Sequence, residues 1–141
     1  MEFLYIIESD LERTYCGVTN DLCRRIHQHN GLIKGGAKAT RGRNWEYFCL
    51  ITGFTNRNDL LSFEWRMHHP DGKKRKNKEF WGIEGRFKSI DVVLKWWKEE
   101  KGHEEEMTVF LFPEYYDFIT NPFVQKQDLT TFIEEYNSRS K

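Results

Sequence analysis

Apolar and polar positions fall into short blocks that read as elements. Phe3-Leu4-Tyr5-Ile6-Ile7 is an unbroken β-rich apolar run and predicts a buried strand. Glu8 to Glu12 is polar and turn-like, and Arg13-Thr14-Tyr15-Cys16-Gly17 follows as a second strand, so residues 3–17 predict a hairpin. Thr19, Asn20 and Asp21 offer N-caps to a helix over Leu22 to His29, which Asn30-Gly31 stops. Trp45 to Phe54 is the most apolar run and predicts a third strand, central in its sheet. Asn56 or Asn58 then caps a helix from Asp59 to His68, with Leu60, Leu61, Phe63 and Met67 on its buried side and Pro70 as its stop. Residues 80–87 are aromatic and irregular. Further on come a helix from Ile90 to Lys101, a strand from Thr108 to Phe112 and a last helix from Asp128 to Asn137. The pattern predicts an α/β (α+β) fold: a small central antiparallel sheet of about three strands flanked by helices, with a small C-terminal α/β extension. The expected division is residues 1–88 and 89–141, the second packed on the first.

Composition adds three constraints. At 141 residues the chain can bury a core without staples. Eleven Phe, six Tyr and five Trp sit in a sequence whose mean hydropathy is only −0.76. No apolar run approaches a membrane span, and the first residues read as a strand, not an export signal, so an intracellular protein is expected. The three cysteines, Cys16, Cys23 and Cys49, lack CxxC spacing and read as free thiols, not a disulfide or zinc framework.

Charge changes the picture more. The formal net charge is zero, yet residues 21–88 carry fifteen Lys and Arg against seven Asp and Glu, while both ends are acidic. A neutral chain can thus present a phosphate-binding face. Two loops concentrate the bases: Lys34, Lys38, Arg41 and Arg43 among glycines, and Lys73, Lys74, Arg75 and Lys76 after Pro70. Both are candidate contacts to a DNA backbone, as is Arg24, the alternative being solvated loops. Glycines 35 and 36 are expected to let the backbone approach another molecule.

Arg25 and His29 lie four apart and so share one face of the first helix. A fixed guanidinium beside an imidazole, opposite a strand bearing tyrosines, suits the holding and attack of a phosphodiester, since a planar fork donates two hydrogen bonds to an oxyanion. His27, His68 and His69 read as structural.

Tyr5-Ile6-Ile7, Tyr15-Cys16-Gly17, Arg25 with His29, and Glu64 together resemble the GIY-YIG nuclease superfamily, with Leu4 and Cys16 departing from its triplets. The longer string is more specific: residues 24–31, Gly35-Gly36-Ala37, Thr40, Gly42-Arg43, Trp45-Glu46, Gly53-Phe54 and Phe63-Glu64-Trp65, with Pro70 after it. It resembles the structure-specific branch, which includes a eukaryotic flap and Holliday-junction endonuclease subunit that works with a scaffold. The resemblance implies a metal-dependent endonuclease acting on branched double-stranded DNA, with Tyr5, Tyr15, Arg25, His29 and Glu64 catalytic. Glu64 would hold Mg²⁺ (or Mn²⁺), which needs only one or two carboxylates. Tyr5, Tyr15 and His29 remain alternative general bases, and Arg25 with the metal is expected to lower the Tyr5 pKa. Gly17 would be architectural, because a side chain there would crowd the phosphate. That subunit's RING domain needs cysteines, and none follows Cys49 here. A scaffold partner, a homodimer and a stand-alone enzyme, nuclear or in another DNA-containing compartment such as a viral one, all stay open. The alternatives are a site-specific homing or restriction-type endonuclease and a catalytically inactive DNA-binding module on the same fold.

Overall fold

The computed structural model describes residues 1–75 and 77–139; the expected DNA contact Lys76 lies outside the described residues. The hairpin forms as β1 (Phe3–Ser9) and β2 (Thr14–Thr19). It is followed by α1 (Leu22–His29), β3 (Trp45–Thr52), α2 (Arg57–His68), α3 (Gly82–Lys95), β4 (Met107–Leu111), β5 (Val124–Asp128) and α4 (Leu129–Arg139). The sheet has five strands in the order β2-β1-β3-β4-β5, two more than the three expected. The first four pair antiparallel, and β5 runs parallel to β4. The central place foreseen for the third strand is the one β3 takes.

Alternation along the strands sends successive side chains to opposite faces. Leu4, Ile6, Cys16, Cys49 and Ile51 face α2 and α3, where Leu60, Phe63, Met67, Phe87, Ile90, Val93 and Trp97 complete one core. Phe3, Tyr5, Ile7, Trp45 and Leu50 face α1 and α4, against Leu22, Ile26, Leu129, Phe132 and Tyr136. One break in the alternation matters. Ile6 pairs with Cys49 and Ile7 with Tyr47, so Phe48 is an extra residue in β3. This bulge turns Tyr47 onto the α1 face, edge-on to Tyr5 at 5.8 Å between ring centres.

The expected irregular segment at 80–87 is instead the start of α3, which goes on as a wider π turn over Trp96–Glu100. Two glycines in this stretch hide the helix from propensity alone. Gly85 is required by packing, since a Cβ there would sit 2.3 Å from the Phe80 carbonyl carbon. The division expected at residues 88 and 89 falls inside α3, and β4 and β5 continue the same sheet. Among the described residues, no helix is long and apolar enough to cross a membrane.

Candidate active site

Tyr5 stands in mid-β1 directly across from Gly17 of β2. A Cβ at position 17 would fall 2.5 Å from the Tyr5 hydroxyl oxygen. Glycine is therefore needed to make room for the phenol of Tyr5, which corrects the expectation that it makes room for a phosphate. Asp21 starts α1 by accepting the Arg24 N–H at 2.9 Å, and the helix then turns Arg25 and His29 toward the sheet while Arg24 stays exposed.

These side chains form one hydrogen-bonded chain. The Thr40 hydroxyl donates to the Ala37 carbonyl at 2.9 Å, so its oxygen accepts from His29 Nδ1–H at 2.9 Å. That fixes the tautomer and leaves the Nε2 lone pair to accept the Tyr5 hydroxyl at 2.6 Å. Arg25 Nε donates to the same Tyr5 oxygen at 3.0 Å. Its Nη1 donates to Gln28 Oε1 and to the Gly35 carbonyl, at 2.9 and 3.0 Å. Among the described residues Nη2 takes no acceptor, so the guanidinium is braced with one nitrogen spare. The glycine loop does this bracing: a Cβ on Gly36 would lie 2.3 Å from the Gln28 carbonyl oxygen. Gly36 thus lies close against the α1 backbone, and Gly35 against the Gln28 side chain.

Burial sets the protonation states. Tyr5 has 0% and His29 2% of its surface exposed. Burial pushes the Tyr5 phenol up to about 12, and the hydrogen bond and charge of Arg25 only partly oppose it. The expected lowering by the neighbouring cation does not prevail. Burial, then the Arg25 charge, pulls His29 down to about 4. Near neutral pH both groups are uncharged, a phenol donating to a neutral imidazole. Tyr15 lies beside them, its ring 5.1 Å from that of His29 and 6.5 Å from that of Tyr5.

Tyr15 is also in the wall of a cleft of about 590 Å³, with Arg13, Arg43, Arg75, Arg86, His68 and Trp81 around it and the acids Glu12 and Asp71 beside them. Arg86, from α3, is held by donating through Nε to the Thr14 hydroxyl at 2.8 Å. A second cleft of about 350 Å³ is bordered by His29, Thr40, Lys34 and Arg41. Of the expected DNA contacts, Arg43 and Arg75 thus line the larger cleft and Lys34 and Arg41 the smaller. Arg24, Lys38, Lys73 and Lys74 stand exposed outside both. His69, also at the wall of the larger cleft, is stacked on Trp65 at 4.2 Å with Nδ1 at the Trp65 carbonyl.

Glu64 approaches from α2, on the other side of the sheet. It is half-buried, and its charge acts on the Cys16 thiol, the residue between Tyr15 and Gly17 at the sheet's edge strand. Burial raises its carboxyl above the usual range, with Arg57 opposing, and among the described residues no hydrogen bond reaches it. A desolvated carboxylate without donors is suited to a hard cation, which removes the electrostatic penalty of its charge. Sequence reasoning placed Tyr5, Tyr15, Arg25 and His29, which the fold brings together. It missed Thr40 as a partner of His29, and Arg13 and Arg86 as cleft arginines. Only the Thr40 match within the family string signalled any of these.

A model of the GIY-YIG catalytic domain matches residues 1–79. The structure-specific endonuclease subunit slx1 of Aspergillus terreus is 43% identical over 74 residues, covering 49% of this chain and 19% of that protein. The protein of the same name from Schizosaccharomyces japonicus is 42% identical over 74 residues, covering 51% of this chain and 27% of its own. A homologue from Cryptosporidium parvum is 39% identical over 88 residues, covering 59% of this chain and 22% of its own. The chain thus spans about a fifth to a quarter of the length of these relatives.

Proposed function

The chain belongs to the GIY-YIG catalytic-domain family, and on that premise we propose that it is a divalent-metal-dependent endonuclease that hydrolyses phosphodiester bonds in branched double-stranded DNA. The observation that carries the chemistry is the chain Arg25–Tyr5–His29–Thr40, held rigid beside Tyr15 at the cleft wall. The branched substrate is supported by similarity to proteins named structure-specific endonucleases.

Arg25, braced through Nε and Nη1, presents Nη2 to a phosphoryl oxygen and stabilises the charge that grows there. Tyr15 orients the phosphate or the attacking water from the cleft wall. As water attacks phosphorus and the P–O bond to the leaving sugar oxygen breaks, the Tyr5 oxygen takes the water's proton while the phenol proton passes to His29 Nε2, and the leaving oxygen takes a proton from solvent. The new imidazolium keeps its Nδ1–H on Thr40, so Thr40 is a positioning residue for this transfer. Tyr5 has no exposed surface in the free chain, so its neighbours have to shift for water to reach it. Glu64 would hold the Mg²⁺ (or Mn²⁺), which supplies Lewis acidity to the phosphoryl oxygen and the leaving oxygen when bound.

The test is cleavage of a labelled 5′ flap compared with a plain duplex of equal length, with Mg²⁺, with Mn²⁺ and with chelator. The expected result is metal-dependent nicking of the flap at least ~10-fold faster than of the duplex, a step worth about 1.4 kcal/mol in the barrier. Equal rates on both substrates would overturn the branched specificity, and no cutting with either ion would overturn the enzyme.

A further inference from the structure

A second group of ligand-type side chains is made of residues outside the proposed nuclease set: Asp59, His103 and Glu105. Asn56 caps α2 by accepting the Asp59 N–H at 2.8 Å, which fixes Asp59 in the helix's first turn. The loop between α3 and β4 brings His103 and Glu105 to it, and one ligand atom from each of the three lies within 4.8 Å of the others. The His103 ring is set by stacking on buried Trp97, with centres 3.6 Å apart and planes 7° from parallel. Its Nδ1 is 2.9 Å from Glu105 Oε1. That oxygen is nonetheless shielded from solvent and takes no aligned hydrogen bond among the described residues. Nor does a described Lys or Arg form an ion pair with either carboxylate. Two carboxylates and an imidazole therefore converge, one carboxylate oxygen shielded from solvent beside the imidazole nitrogen, and no described Lys or Arg paired with them.

We propose that Asp59, His103 and Glu105 bind a divalent transition-metal ion of the Zn²⁺ class, with water completing a four-coordinate site. One imidazole and two carboxylates suit zinc, whereas Mg²⁺ prefers oxygen ligands in a strict octahedron. In a tetrahedron with bonds of ~2.0–2.1 Å the donors stand roughly 3.3 Å apart, so small side-chain rotations close the present spacing. The ion would tie the start of α2, the helix that carries Glu64, to the loop leading into β4. Glu64 is not one of the three residues whose ligand atoms converge there.

The test is calorimetric titration of metal-free full-length chain with Zn²⁺ in excess Mg²⁺, together with melting curves with and without Zn²⁺. Wild type and Glu64→Gln should each bind one Zn²⁺ and melt several degrees higher with it. Asp59→Asn and His103→Ala should bind at least ~10-fold more weakly, as for loss of a ligand, and show no shift. Because His103→Ala also removes the stack on Trp97, Asp59→Asn at the helix surface decides the case if the first variant is unfolded by circular dichroism. No Zn²⁺ binding by wild type, undiminished binding in Asp59→Asn, or loss of binding in Glu64→Gln would each overturn the site.

Discussion

His29 decides the protonation logic of the pocket. Its Nδ1 proton is committed to Thr40, so Nε2 faces Tyr5 as a lone pair. Imidazole ¹⁵N NMR, assigned against a His29→Gln variant, should show a neutral Nδ1–H tautomer at pH 7. Thr40→Val should disturb that tautomer and lower kcat by ~10²–10⁴-fold, the range of a proton-transfer contribution, and Thr40→Ser should restore both. An Nε2–H tautomer, or full activity in Thr40→Val, would contradict the relay. The shift also has a sign for stability. The folded pKa is about 4 against 6.5 for the free group, so between those values the unfolded chain binds a proton that the folded chain refuses. Stability should therefore fall as pH drops through that window, and less so in His29→Gln, as read by urea melts. Tyr5 and Tyr15 were legible through their resemblance to the family's two triplets, and Arg25 and His29 through their spacing of four on one helix face. The direction of the Tyr5 shift was not. It depends on complete burial, which no local pattern reports and which here outweighs an adjacent guanidinium.

At the scale of elements, helices and strands with strong apolar patterning were readable to within a residue or two, and the structure picks Asp21 and Asn56 from the caps that the sequence left open for α1 and α2. The failures have physical causes. β5, Val-Gln-Lys-Gln-Asp, carries a single apolar residue, and its pairing with β4 comes from tertiary docking, not from propensity. The first half of α3 carries Gly82 and Gly85, which lower helix propensity until Phe80 packs against the second. α4 brings a consequence for α1: Phe132 packs edge-on to Phe3, 5.8 Å between ring centres, and the Tyr136 hydroxyl accepts the Leu22 N–H at 3.2 Å. Phe132→Ala should cost about 2 kcal/mol in chemical denaturation, below the ~3–5 of a fully buried Phe because this ring is only half-buried. An unchanged midpoint would mean that α4 lies on the sheet without stabilising it.

Over the whole molecule, charge is sorted: a basic middle between acidic ends, with four arginines from separate segments around one cleft. Arg43 and Arg75 were visible in sequence as members of basic loops. Arg13 and Arg86 were not, because Arg86 meets Thr14 across 72 residues of chain. If the cleft carries DNA, Arg43→Gln with Arg75→Gln should lower the slope of log affinity against log salt by roughly two, about one per lost phosphate contact. The same slope in the double variant would place DNA elsewhere. The central claim is that Glu64, reaching the edge strand from the opposite face of the sheet, serves the same phosphate as Arg25. Single-turnover cleavage of a branched duplex by Glu64→Gln and by Arg25→Ala tests it, with binding measured alongside. The account predicts that each loses at least ~100-fold in rate, the scale of a lost transition-state contact, while DNA affinity stays near wild type. Cleavage by either variant at close to the wild-type rate would contradict it.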